Sequence, residues 1–181
     1  MLATDGVLTH NDIVEIVRAA TDDVLITMLG ITPEHQPAYQ DNKAALGSNG
    51  IVSLIGMAGA WIGTGSISCS PATACVLASR LMMTEYTSVT DEVLDAISEV
   101  TNMIIGNVKT ALEEHLGPMG LSIPTVIHGR NFTSRSVGTQ EWSIVPFLLD
   151  GGEFEVHVCL ARSTNSERPR LAVAGNETIR F

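Results

Sequence analysis

Glu99, Asn102 and Lys109, with Asp95 one turn earlier and a glycine at 106, are the residues whose types and spacing could do chemistry. On a helix, at about 100° per residue, Asn102, Gly106 and Lys109 fall within about 80° of Glu99. Glu92, Asp95 and Glu113 lie nearby. The stripe offers a carboxylate that accepts hydrogen bonds, an amide that both donates and accepts, and an ammonium that donates. Between them is a gap. A mid-helix glycine costs about 1 kcal/mol against alanine, so Gly106 needs a reason, and close approach of another molecule to the backbone is one. The plainer reading is a solvated helix face, with Lys109 merely pairing with Glu113 at the four-residue spacing.

The element that must carry this stripe is a helix over residues 91–117, about seven turns long. Thr90 can cap it, and Asp91 and Glu92 sit where the helix dipole favours negative charge. Gly117-Pro118 stops it. Val93, Ile97, Val100, Ile104, Val108, Ala111 and Leu112 fall opposite the stripe, so one face is expected to be buried and the other to meet solvent.

The remaining elements follow from pattern. A first helix is expected over residues 11–29, capped by Asn11 and ended by Gly30, with Ile13, Ile16, Val17, Ala20, Val24 and Met28 inward. Residues 31–50, with two prolines, read as extended or loop with room for a short edge strand. Residues 50–70 read as a hairpin turning near Ala58-Gly59-Ala60. Its glycines include Gly63-Thr64-Gly65-Ser66, which lacks the ending of a P-loop and the third glycine of a dinucleotide fingerprint; they read as packing glycines. Ser70-Pro71 opens a second helix, to about Met83. Strands are expected over 121–129, with Pro124 marking an edge or bulge, and over 141–149 and 153–160, with a polar loop over 131–140. In the last strand Phe154, Val156, Val158 and Leu160 face one way and Glu155, His157 and Cys159 the other. The order α-ββ-α-α-βββ describes an α+β fold, an antiparallel sheet packed against two long helices and a shorter one. One domain over 1–161 and a polar tail over 162–181, flexible or adding a short strand, fit the 181 residues.

Composition narrows the function. The formal net charge is −10, with two lysines and eight arginines, which argues against non-specific nucleic-acid binding and suits a basic partner surface. Cys69, Cys75 and Cys159 are scattered and form no zinc pattern with the five histidines. The odd count of thiols, the absence of a basic leader and the lack of a long apolar run suit a cytoplasmic protein.

A weak internal repeat lays residues 13–24 on 97–108. Glu15 then matches Glu99, but Arg18 stands opposite Asn102 and Asp22 opposite Gly106. Both helices end in leucine and glycine, Leu29-Gly30 and Leu116-Gly117.

The pattern Asp95-Ala96-Ile97-x-Glu99-x-Thr101-Asn102-Met103-Ile104-x-Gly106-x-x-Lys109 resembles the E-x-x-N helix of the CheC/CheX/FliY family of chemotaxis phosphatases. It looks most like CheX, which carries one such motif. Gly65-Ser66-Ile67-Ser68 before a helix, Ile123-Pro124-Thr125-Val126-Ile127-x-Gly129 and Ile144-Val145-Pro146-Phe147 agree with it. The likeness covers roughly residues 9–161, and Arg18 argues against a second site of the CheC kind.

The resemblance implies hydrolysis of the aspartyl phosphate on a CheY-type response-regulator receiver. Glu99 and Asn102 become the catalytic pair, and Asp95, Gly106 and Lys109 partner-docking candidates. Asn102 would hold the attacking water without placing a charge beside the phosphate; Glu99 would pair with a receiver lysine. No cofactor of its own is implied, because the phosphorylated receiver supplies Mg²⁺. A homodimer formed through edge strands is implied as well, with the strand over 153–160 as a candidate edge. A non-catalytic receiver-binding or dimerisation module of the same fold is the alternative.

Overall fold

The computed structural model describes residues 8–42, 49–130 and 141–163. The expected loop over 131–140 and the tail from residue 164 lie outside the described residues. The first helix, α1 (His10–Asp22), is capped by Thr9 and not by Asn11. Thr9 Oγ1 accepts the Asp12 N–H, and the Asp12 carboxylate accepts the Thr9 N–H at 2.7 Å. Two cap-forming residues stand close together here, and the carboxylate three residues after Thr9 decides between them. The hydroxyl of Thr9 holds the Asp12 carboxyl below its ordinary value. Lower down, His10 Nδ1 lies 2.9 Å from Ser143 Oγ, tying α1 to the sheet.

α1 runs on as a π-helical segment, Asp23–Met28. The wider turn changes the phase of the apolar stripe. Val24, Leu25 and Leu29 are buried, whereas Met28, expected inside, is 60% exposed. Gly30 ends the segment at φ +65°.

The strands β1 (Glu34–His35), β2 (Tyr39–Asp41), β3 (Asn49–Gly59), β4 (Trp61–Cys69), β5 (Met119–Leu121), β6 (Thr125–Arg130), β7 (Trp142–Leu149) and β8 (Gly152–Arg162) form one antiparallel sheet. β3 and β4 make the expected hairpin. β4 and β8 pair along their length, and β8 continues to β7. β1 and β2 both border β7, and β5 and β6 both border β3. The strand expected over 121–129 is therefore two strands. Pro124 has no N–H to give a ladder, and Ser122 Oγ takes the Gly56 N–H at 2.9 Å where the chain steps away. β8 lies between β7 and β4, with partners on both sides. It is no edge, which corrects the reading of residues 153–160 as a dimerising edge strand.

Ser70 caps α2 (Pro71–Met82), and Thr90 caps α3 (Asp91–Leu116). The three helices cover one face of the sheet. Ile97, Val100, Ile104 and Val108 of α3 are fully buried there with Ile51 and Ile55 of β3, Ile67 of β4, and Phe154 and Val156 of β8. The alternation read in β8 holds, but its second face is closed too. His157 and Cys159 are only 3% exposed, and Cys159 packs with Trp142 and Ile144. Among the described residues no helix is long and apolar enough to cross a membrane.

Candidate functional site

α3 is built to show one stripe. Thr90 Oγ1 accepts the Val93 N–H at 3.4 Å. The Thr90 side chain also holds the Glu92 carboxyl below its ordinary value. The one polar residue on the buried side, Thr101, satisfies its hydroxyl by donating to the Ile97 carbonyl at 2.7 Å, so no polar group pulls that face outward.

On the opposite side Asp95, Glu99 and Asn102 are exposed and Gly106 is half-exposed. Glu99 and Asn102 stand one turn apart, and neither is engaged by any described residue. A Cβ added at Gly106 would meet nothing within 4 Å beyond its own helix backbone, so no contact with a described residue requires glycine there. Lys109 differs from its neighbours. Its Nζ lies 2.7 Å from Glu113 Oε2, and Glu113 Oε1 accepts the Met119 N–H at 2.7 Å. These contacts, Lys109 first, hold the Glu113 carboxyl below its ordinary value. Lys109 thus belongs to the closure of the helix C-terminus, where Gly117 turns the chain at φ +80°.

Two residues unmarked in the sequence reading flank the stripe. Asn107 Nδ2 donates to Asp23 Oδ2 at 3.0 Å, joining α3 to the π-helical segment. Ile105, fully buried, reaches the sheet at Gly65. Asn107 could have been suspected as a polar residue beside the stripe. Its partner could not, because the π turn that brings Asp23 round leaves no simple period.

The matching face of α1 is in the opposite state. Arg18 Nη1 lies 3.6 Å from Glu15, and its Nη2 donates to the Gln36 carbonyl at 3.1 Å. The Asp22 carboxylate lies 2.8 Å from His35 Nε2. Elsewhere, all three cysteines are buried, and burial pushes the Cys69 thiol up to about 12, so it carries no thiolate at neutral pH. Among the described residues no three His, Cys, Asp or Glu side chains converge as a metal site would require.

No curated protein sequence matches the chain. Solved structures do. CheX from Desulfovibrio desulfuricans is 29% identical, covers 83% of this chain and 99% of its own, and superposes with a TM-score of 0.73. For CheX from Vibrio vulnificus the values are 26%, 83%, 99% and 0.74. For the CheX of Borrelia burgdorferi, solved as a complex with CheY, BeF3 and Mg²⁺, they are 30%, 83%, 99% and 0.70. The family model described as chemotaxis phosphatase CheX matches residues 51–148. That span holds the α3 stripe, the glycine-rich β4 and the Pro124 step together. An antiparallel sheet carrying three helices on one face thus has its counterpart in solved structures, and the chain belongs to the CheX family of chemotaxis phosphatases.

Proposed function

We propose that this chain removes the phosphoryl group from the aspartyl phosphate of a CheY-type receiver, with Glu99 and Asn102 as its working residues. The observation that carries the reading is the pair itself: a carboxylate and an amide on adjacent turns of one helix face, exposed and without a hydrogen-bond or ion-pair partner among the described residues. The structure of a Borrelia burgdorferi relative in complex with CheY, BeF3 and Mg²⁺ supports a receiver as partner.

The reaction is attack of water on phosphorus, with the bond to the aspartyl oxygen breaking and inorganic phosphate leaving. Phosphoryl transfer depends on positioning and charge stabilisation. The receiver brings the phosphate, its Mg²⁺ and a lysine. What this chain adds is the water in line. The Asn102 amide accepts from that water through its oxygen and donates through its nitrogen, and being neutral it does not repel the phosphoryl oxygens. Glu99 pairs with the receiver lysine and sets the register of the two helices. Asp95 extends the docking face toward the N-terminus of α3, and Gly106 lets the partner backbone come close.

Release of inorganic phosphate from a panel of phosphorylated receivers of the same organism, in the presence of Mg²⁺, tests the reading. Acceleration of at least one receiver is expected. Binding without acceleration would mark the chain as a non-catalytic module, and activity on a free small phosphoester would mark a different enzyme.

A further inference from the structure

We infer that Gly65 of β4 and Ile105 of α3 form a notch that fixes how far α3 stands from the sheet, and that Gly65 is thereby a positioning residue for Asn102. The inference rests on the function proposed above. Gly65 sits in the middle of a strand, paired with Ile55 on one side and Val158 on the other. No turn and no left-handed backbone accounts for glycine there. A Cβ at this position would stand 2.7 Å from Ile105 Cδ1, 2.8 Å from Cγ2 and 3.0 Å from Cγ1. Those are distances that packed carbon atoms do not adopt.

The clash has few ways out. Cγ1 and Cγ2 both branch from the Ile105 Cβ, and a β-branched side chain in a helix is held to one strongly preferred χ1 rotamer, so rotation does not clear both carbons. β4 cannot retreat, because it is hydrogen-bonded to β3 and β8. The helix must give. Ile105 lies three residues beyond Asn102, one turn on and about 60° round the axis. A shift forced at Ile105 is therefore delivered to the amide that holds the water. A misplacement of about 1 Å can cost on the order of a hundredfold in rate.

The test uses the full chain in four forms: wild type, Gly65→Ala, Ile105→Ala and the double variant. The readouts are phosphate release at saturating phosphorylated receiver, normalised to folded protein by circular dichroism, and affinity for the receiver bound to beryllium fluoride. For Gly65→Ala, kcat is expected to fall about tenfold or more with the folded fraction unchanged. Ile105→Ala, which removes the knob without adding a clash, is expected to lose less of its rate than Gly65→Ala. The double variant, whose new methyl has room, returns to within about threefold of Ile105→Ala, a non-additivity that marks direct coupling. Should Gly65→Ala not fold, the double variant decides. Recovery of fold and rate supports the notch, and failure of both overturns it. Full activity of Gly65→Ala overturns the inference alone, whereas a wild type inactive on every receiver overturns the function it rests on.

Discussion

α1 and α3 carry the same beginning and reach opposite ends. Each presents a glutamate with a polar residue three positions on, Glu15 with Arg18 and Glu99 with Asn102. In α1 the set closes on itself. Arg18 reaches back to Glu15 and across to the Gln36 carbonyl, and Asp22 takes His35. In α3 the glutamate and the amide make no hydrogen bond or ion pair with any described residue. The difference lies in the third residue. A guanidinium is long, charged and five-fold donating, so it finds carbonyls and carboxylates within its own chain. Asn102 is shorter and points outward, where no described residue offers it a partner, unlike Asn107, which faces Asp23. A helix face becomes available to a partner when its own groups cannot satisfy one another.

The sharpest way to break this contrast is to remove the residue that differs. Asn102→Ala should lower receiver dephosphorylation by about a hundredfold or more, the order expected for one well-placed transition-state group, with receiver affinity nearly unchanged. Arg18→Ala in the same assay should leave the rate within about twofold, while chemical denaturation shows about 1 kcal/mol of lost stability from the Gln36 contact. If Arg18→Ala lowered the rate and Asn102→Ala did not, the working face would be on α1.

Glu99→Lys comes next in size. It sets a positive charge against the receiver lysine and should weaken association roughly tenfold. Raising the concentration of the variant should restore part of the rate, which it cannot do for Asn102→Ala. Decay of phosphoreceiver measured against enzyme concentration separates the two; equal rescue of both would show that Asn102 also acts by docking.

Gly106→Ala should move two readouts in opposite directions. Beyond the helix's own backbone no described residue lies within 4 Å of the new methyl, so the helix should gain up to about 1 kcal/mol. If the partner backbone approaches there, receiver affinity falls severalfold. A stabilised variant with unchanged affinity would free Gly106 from any docking role.

Much of this was legible because strong local signals agreed with the global fold. Thr90, the apolar stripe from Val93 to Leu112 and Gly117 all describe the same helix, and its exposed side follows at once. Ser70-Pro71 was as plain. What was not legible depends on contacts distant in sequence. A short edge strand within residues 31–50 is expected from the sequence and is found, but that there are two, β1 and β2, both on β7, depends on the free edge β7 offers them. The break between β5 and β6 shows in Pro124, but its depth depends on Ser122 meeting Gly56. The π turn hid which of Val24, Leu25 and Met28 faces inward. At the site, Glu99 and Asn102 could be seen, while the pairing of Asn107 with Asp23 and the notch at Gly65 required the third dimension.

Lys109 supplies the finest test of the contrast, because it lies on the α3 stripe yet behaves like the self-satisfied residues of α1. If its business is with Glu113 and the helix end, Lys109→Ala should leave dephosphorylation within about twofold and lower Tm by no more than about 2 °C at neutral pH. The small loss should also carry a pH signature. Glu113 is held below its ordinary value of 4.5, first by Lys109 and then by the Met119 N–H. A carboxyl depressed in the folded state contributes stability that is fully present above its unfolded value and is lost as pH falls through its folded one. The gap in Tm between wild type and Lys109→Ala should therefore close on acidification below about pH 4. Thermal melts of both proteins across that range read it directly. A gap that persisted in acid would assign the effect to helix packing of the lysine stem, and a large fall in dephosphorylation would return Lys109 to the docking face beside Glu99 and Asn102.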